Sequence, residues 1–213
     1  MNYLAHLVIA ERVEASSGFL LGSLLPDFVR GRIDGVPGAV ARGAAMHRWV
    51  DRVTDSDPDA GRIRERLRER HGRFSGILAD VLFDHCLARR FTQWQGEEVD
   101  AAIDRYHIAI HASLDDAPPG ARPGLSRLVE AGWMRHYAEL DGIRWVLGLM
   151  EQRLSMRFKR SVHLSHAADT FAELDGAIQA DFDVFFDRLR RRVDAEVDVF
   201  RTETQSIRSE AAA

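Results

Sequence analysis

His47 and Asp51 stand four residues apart in the stretch 46–59, MHRWVDRVTDSDPD. On a helix both side chains project from one face, close enough to hold a single ion. A second cluster follows in ILADVLFDH, where Asp80, Asp84 and His85 sit in otherwise apolar sequence. Two carboxylates four apart on one face repel unless something neutralises them. Asp27, after a run of leucines, and His6, inside an apolar opening segment, are placed where an unpartnered polar group is costly. Catalytic metals acting on phosphate esters are held by such carboxylate and imidazole ligands, with positions left open for water and substrate. His85 is rotated about 100° from Asp84 on a helix, so one of them can bind metal while the other orients a ligand or donates a proton. A lone His-x-x-x-Asp is more often a surface or capping pair. It is the recurrence of acidic side chains in apolar sequence that points to a shared cation.

Other histidines compete less well. His107 and His111 have metal-compatible spacing but no accompanying carboxylate pair, and read as a solvated face. His163 and His166 precede the last helix, where Ser165 and Asp169 suggest capping. Cys86, the only cysteine, points away from His85 on a helix and reads as a small core residue. No glycine-rich loop of a phosphate-cradling type occurs. Arg30, Arg32, Arg42, Arg48, Arg52 and the arginines of 62–73 make the N-terminal third locally basic. They form either a salt-bridged solvated face or a positive rim that attracts an anionic partner.

Helices must position these residues, because apolar side chains recur at three- and four-residue spacing and sustained alternation is almost absent. The spacing predicts helices over 3–11, from about 18 to 25 (where Pro26 ends it), and from 40 to the stop at 55–58. Further helices are expected over 60–71, 74–94 and 97–114. The segment 115–124, DDAPPGARPG, is the clearest linker; it either separates two subdomains or, the preferred reading, joins helices within one bundle. A helical pair over 125–139 and 142–156 follows, then the longest helix, with Phe171, Leu174, Ile178, Phe182, Phe185 and Leu189 on its apolar stripe. The expected fold is an all-α, single-domain helical bundle over 1–205 with a frayed tail at 206–213. With 213 residues the chain is long enough for a proper core. Its 46% hydrophobic and 29% charged residues exclude wholesale disorder, and a net charge of −4 argues against a general nucleic-acid coat. The one cysteine excludes an internal disulfide. The apolar run 18–29 is shorter than the roughly 20 residues needed to span a bilayer, so the expectation is a soluble, cytoplasmic protein.

Four motifs in order, MNYLAHLVIA, GFLLGSLLPDFVRG, HRWVDRVTDSDP and GILADVLFDHCLARRF, resemble the acyl carrier protein phosphodiesterases over residues 1 to about 95. That family is similar to HD-type metal-dependent phosphohydrolases. The resemblance implies an HD-like all-α fold, a divalent metal (Mn²⁺ foremost) and removal of the 4′-phosphopantetheine arm from holo-acyl carrier protein, an acidic partner. It supports Asp27, His47, Asp51, Asp80 and Asp84 as metal ligands. His85, His6, Arg48 and Arg52 become the catalytic set: a histidine protonating the leaving serine, an arginine offsetting phosphoryl charge. Ser23 stands where members often have Asn, and Pro26 where a small residue is common. The alternatives are an HD-type hydrolase acting on a nucleotide, or a non-enzymatic helical protein that binds acidic partners through its arginines.

Overall fold

Three- and four-residue apolar spacing leaves each segment one way to bury its hydrophobic face, and every regular element among the described residues is helical. The computed structural model of the chain describes residues 1–159 and 161–202. The first helices are α1 (Tyr3–Val13), α2 (Ser17–Gly22), α3 (Gly38–Ser56), α4 (Pro58–His71) and α5 (Ser75–Arg89). There follow α6 (Phe91–Gln95), α7 (Val99–Ala112), α8 (Arg122–Glu130), α9 (Leu140–Phe158) and α10 (Ala167–Thr202). Short 3-10 turns lie at Leu25–Asp27, Gly72–Phe74, Leu114–Asp116 and Trp133–His136. The expected frayed tail lies outside the described residues. No helix among the described residues is long and apolar enough to cross a membrane.

Contacts divide the chain into two compact units. One comprises residues 1–5, 55–103 and 132–186. Its core is α5, buried along almost its whole length, with Phe83 lying 6.1 Å from Phe182 and 5.4 Å from Phe185 of α10, ring centre to ring centre. Helix α4 starts where Asp57, in extended backbone, accepts the amides of Asp59 and Ala60 at 2.8 and 3.2 Å. Gly72, at φ +55°, supplies the left-handed turn that brings α5 back onto α4. The α4 arginines form a salt-bridged face: Arg62 and Arg66 meet Asp181, Arg64 meets Asp55, Arg68 meets Glu65 and Arg70 meets Glu173.

The second unit comprises residues 6–54, 104–131 and 187–202 of the described chain. The linker 115–124 lies inside it, between α7 and α8. Helices α2 and α3 approach at two glycines. A Cβ on Gly22 would overlap the Val40 carbonyl, and one on Gly43 would overlap the Phe19 carbonyl. That close crossing sets where the end of α2 meets α3.

Two expected helices are broken. The segment 74–94 is α5 and α6, interrupted at Arg90. The segment 125–139 is not one helix: α8 ends at Glu130, Gly132 takes φ +59°, and a 3-10 turn follows. Glycine in the left-handed region stops a helix that the apolar spacing alone would continue.

Candidate metal centre

Helix α1 carries His6 into the apolar interior, where the residue is 2% exposed. Helix α3 presents His47 and Asp51 one turn apart, as their spacing requires. The His6 and His47 rings stack with centres 3.7 Å apart and planes 11° from parallel. His47 Nε2 lies 3.1 Å from Asp51 Oδ2, and His6 Nε2 lies 3.2 Å from Asp51 Oδ1. The second approach is off the line of a hydrogen bond, so neither ring nitrogen of His6 has a hydrogen-bond partner. One ligand atom from each of these three residues falls within 4.8 Å of the others.

The end of α2 orients the site. Ser23, its C-cap, presents a backbone carbonyl 2.7 Å from His47 Nδ1. Nδ1–H donates to that oxygen, so Nε2, beside Asp51, is the nitrogen left to bind a proton or a metal, the arrangement found behind metal-binding histidines. The 3-10 turn that follows places Asp27 Oδ1 3.9 Å from His47 Nε2.

Charges are set by burial and by this carboxylate. Burial, reinforced by His47, pushes the pKa of His6 down to about 3, so its ring is neutral at neutral pH. Burial also works against charge on His47, but Asp51, Asp27 and the Ser23 carbonyl outweigh it and raise that pKa. Burial opposes ionisation of Asp51 as well, yet its contacts with both histidines hold its carboxyl well below the usual range. The result is an ionised carboxylate against two imidazoles, one of them with orphaned nitrogens. This donor set fits a divalent cation.

The remaining sequence candidates have other partners. Arg48 donates to the Gly31 carbonyl at 3.1 Å, and Arg52 is exposed one position beyond Asp51. Asp80, Asp84 and His85 belong to the other unit. There Asp84, fully buried, accepts the Leu4 and Ala5 amides at 2.8 and 3.0 Å, one on each oxygen. Burial pushes its pKa up to about 7 despite those two donors. Asp80 lies 3.1 Å from the Met1 amino group. His85 Nδ1 lies 2.6 Å from the Tyr137 carbonyl, and the ring lines a cavity of about 240 Å³ with Arg89 and Glu139. Cys86 is buried, as its reading as a core residue requires, and burial raises its thiol pKa. Ser165 does not cap α10: its hydroxyl and amide both donate to Glu151. What spacing missed was the Ser23 carbonyl, since a backbone acceptor leaves no mark in the sequence, and His6 as a member of the donor cluster rather than its neighbour.

The family model for acyl carrier protein phosphodiesterase matches residues 1–189. The chain belongs to that family. Relatives bearing the same name from Salmonella newport (strain SL254) and Salmonella agona (strain SL483) are each 36% identical over 155 residues, covering 72% of this chain and 79% of the relative. No solved structure matches. The match to the acyl carrier protein phosphodiesterase family reaches well beyond residue 95 and includes both units and most of α10.

Proposed function

We propose that the protein is a metal-dependent phosphodiesterase that removes 4′-phosphopantetheine from holo-acyl carrier protein. Family membership supports the reaction. One observation carries the metal: His6 is buried and both its ring nitrogens lack hydrogen-bond partners. Leaving buried polar atoms unsatisfied costs about 1–3 kcal/mol apiece, and a cation held between His6, His47 and Asp51 would answer that cost at one of the two His6 nitrogens. His6, His47 and Asp51, with Asp27 at the edge, would hold the ion. Their nitrogen and oxygen donors suit Mn²⁺, among other divalent metals. Bound there, the metal would activate water and offset charge on the phosphoryl group.

The chain's own groups do the rest. The Ser23 carbonyl keeps His47 in the tautomer that offers Nε2. Asp51 stays ionised between the two rings. Neutral His6 is a poor proton donor, so we assign it to holding rather than to protonation. Arg48 and Arg52, interleaved with the ligands on α3, supply positive charge for the phosphoryl oxygens. The water oxygen bonds to phosphorus as the bond from phosphorus to the carrier's serine oxygen breaks. That oxygen takes up a proton, and the products are apo-carrier and 4′-phosphopantetheine.

Intact-mass measurement of holo-carrier after incubation with the protein and Mn²⁺ tests the proposal. Loss of the prosthetic arm, abolished by EDTA, is the expected result. An unchanged carrier mass overturns the reaction, and full turnover in EDTA overturns the metal.

A further inference from the structure

In the unit of residues 1–5, 55–103 and 132–186, most of the described lysine and arginine side chains are neutralised. The α4 arginines are paired as described, and Arg89, Arg90, Arg135 and Arg144 meet Asp175, Asp183, Asp100 and Asp169. Among the described residues, the lysine and arginines of this unit without a carboxylate partner are Arg73, Arg153, Arg157 and Lys159. Arg73 sits in the turn between α4 and α5, and the other three are in the last two turns of α9 or at its C-cap. The carboxylate that precedes them on α9, Glu151, is turned onto the Leu164 and Ser165 amides.

Two of these cations, Arg73 and Arg157, lie beside the exposed ring of Phe158. Met156 is 73% exposed and Phe158 44%. The Arg73 guanidinium lies 4.7 Å from the centre of the Phe74 ring and 5.7 Å from that of Phe158, and Arg157 also lies 5.7 Å from Phe158. A helix C-terminus favours positive charge, which accounts for Arg157 and Lys159. It does not account for Arg73, which reaches the same ring from another element, or for a methionine left in water. Two arginines from separate elements held against an exposed aromatic side chain are part of the composition of an interaction site.

We propose that this patch docks the acidic carrier protein, on the reading above that the carrier is the substrate. The protein is itself acidic, with a net charge of −4, so its overall field repels an acidic partner. Approach therefore needs a local concentration of unneutralised cations, and this unit has one such place. A carrier surface bearing carboxylates around an apolar side chain would meet Arg73 and Arg157 and cover Phe158. Charged groups of this kind act on encounter and affinity rather than on the chemical step.

The test is the double charge reversal Arg73→Glu/Arg157→Glu, with Arg153→Glu as an independent variant. All three sites are exposed, so the variants should fold, which melting curves verify. KM for holo-carrier is expected to rise about tenfold or more in the double variant, with kcat within about twofold of wild type. Affinity for apo-carrier, measured by calorimetry, should fall by the same factor, and salt should weaken wild-type binding more than the variant's. KM and apo-carrier affinity both within about twofold of wild type overturn the proposal. If wild type leaves the holo-carrier's mass unchanged, the hydrolytic reading fails, and docking is judged by carrier binding alone. Binding sensitive to the reversal then upholds it, and no binding overturns it. Sedimentation with phosphatidylglycerol vesicles gives one further outcome. Vesicle binding lost on reversal, with carrier binding untouched, makes the patch a membrane contact and overturns the docking claim.

Discussion

His6 is the residue that distinguishes the proposed metal centre from a histidine–aspartate pair. His47 has a hydrogen-bond partner on one nitrogen and a carboxylate at the other, so protein alone satisfies it; His6 does not share that situation. Replacing His6 or Asp51 with Ala should lower phosphodiesterase activity by about a hundredfold or more and remove the heat of Mn²⁺ binding. Helicity by circular dichroism should stay at the wild-type level, and a variant that keeps both activity and metal heat would remove the residue from the site. Asp84 carries a separate, pH-dependent prediction. Its pKa rises from the ordinary aspartate value of 3.8 to about 7 on folding, because burial disfavours the charged form. The stability it contributes is therefore fully present below about pH 4 and lost as pH climbs through about 7, with a ceiling of about 4 kcal/mol. Denaturation midpoints compared at pH 5 and pH 8 should show this decline in wild type and a flatter profile in Asp84→Asn. Equal slopes in the two proteins would show that the group's pKa is not raised.

Among the helices, the α2–α3 crossing does most to set the site. Gly22 and Gly43 let the two backbones meet, and the Ser23 carbonyl arrives at His47 Nδ1 as a consequence. Gly43→Ala puts a methyl group into the Phe19 carbonyl and should destabilise the fold by about 1–3 kcal/mol, read by urea denaturation. Mn²⁺ affinity should weaken with it, because His47 loses its orienting acceptor. The α4 start is a purely structural counterpart. Asp57→Ala removes the side chain that accepts two amides and should cost about 1 kcal/mol without changing metal affinity.

For the molecule as a whole, a ligand that binds only the folded state raises stability by mass action, about 2.7 kcal/mol at a hundredfold excess over Kd. The melting temperature should thus rise with added Mn²⁺ in wild type and stay flat in His6→Ala, by calorimetry. The numerous surface arginine–carboxylate pairs give no comparable increment, since exposed pairs are worth about 0–1 kcal/mol each. Their larger effect is on charge distribution: by neutralising α4 they leave Arg73 and the cations at the C-terminal end of α9 exposed and unpaired among the described residues of that unit.

Helical class, the extents of α3, α4 and α10, and the pairing of His47 with Asp51 follow from residue order, because helical periodicity is a local property. The four motifs were also sufficient to point to the acyl carrier protein phosphodiesterase family. Tertiary packing decided what local order leaves open. Gly132 broke a segment whose apolar spacing reads as continuous helix, since a left-handed turn overrides spacing. The α4 arginines became a neutralised face because Asp181 and Glu173, over a hundred positions away, came to meet them. Asp80, Asp84 and His85 have the same residue types as His47 and Asp51, yet found an amino group, backbone amides and a carbonyl for partners. His6 showed the converse: nothing in MNYLAHLVIA tells whether a buried imidazole will be satisfied. Residue type states what a side chain can bind, and only the fold determines whether another part of the chain already binds it.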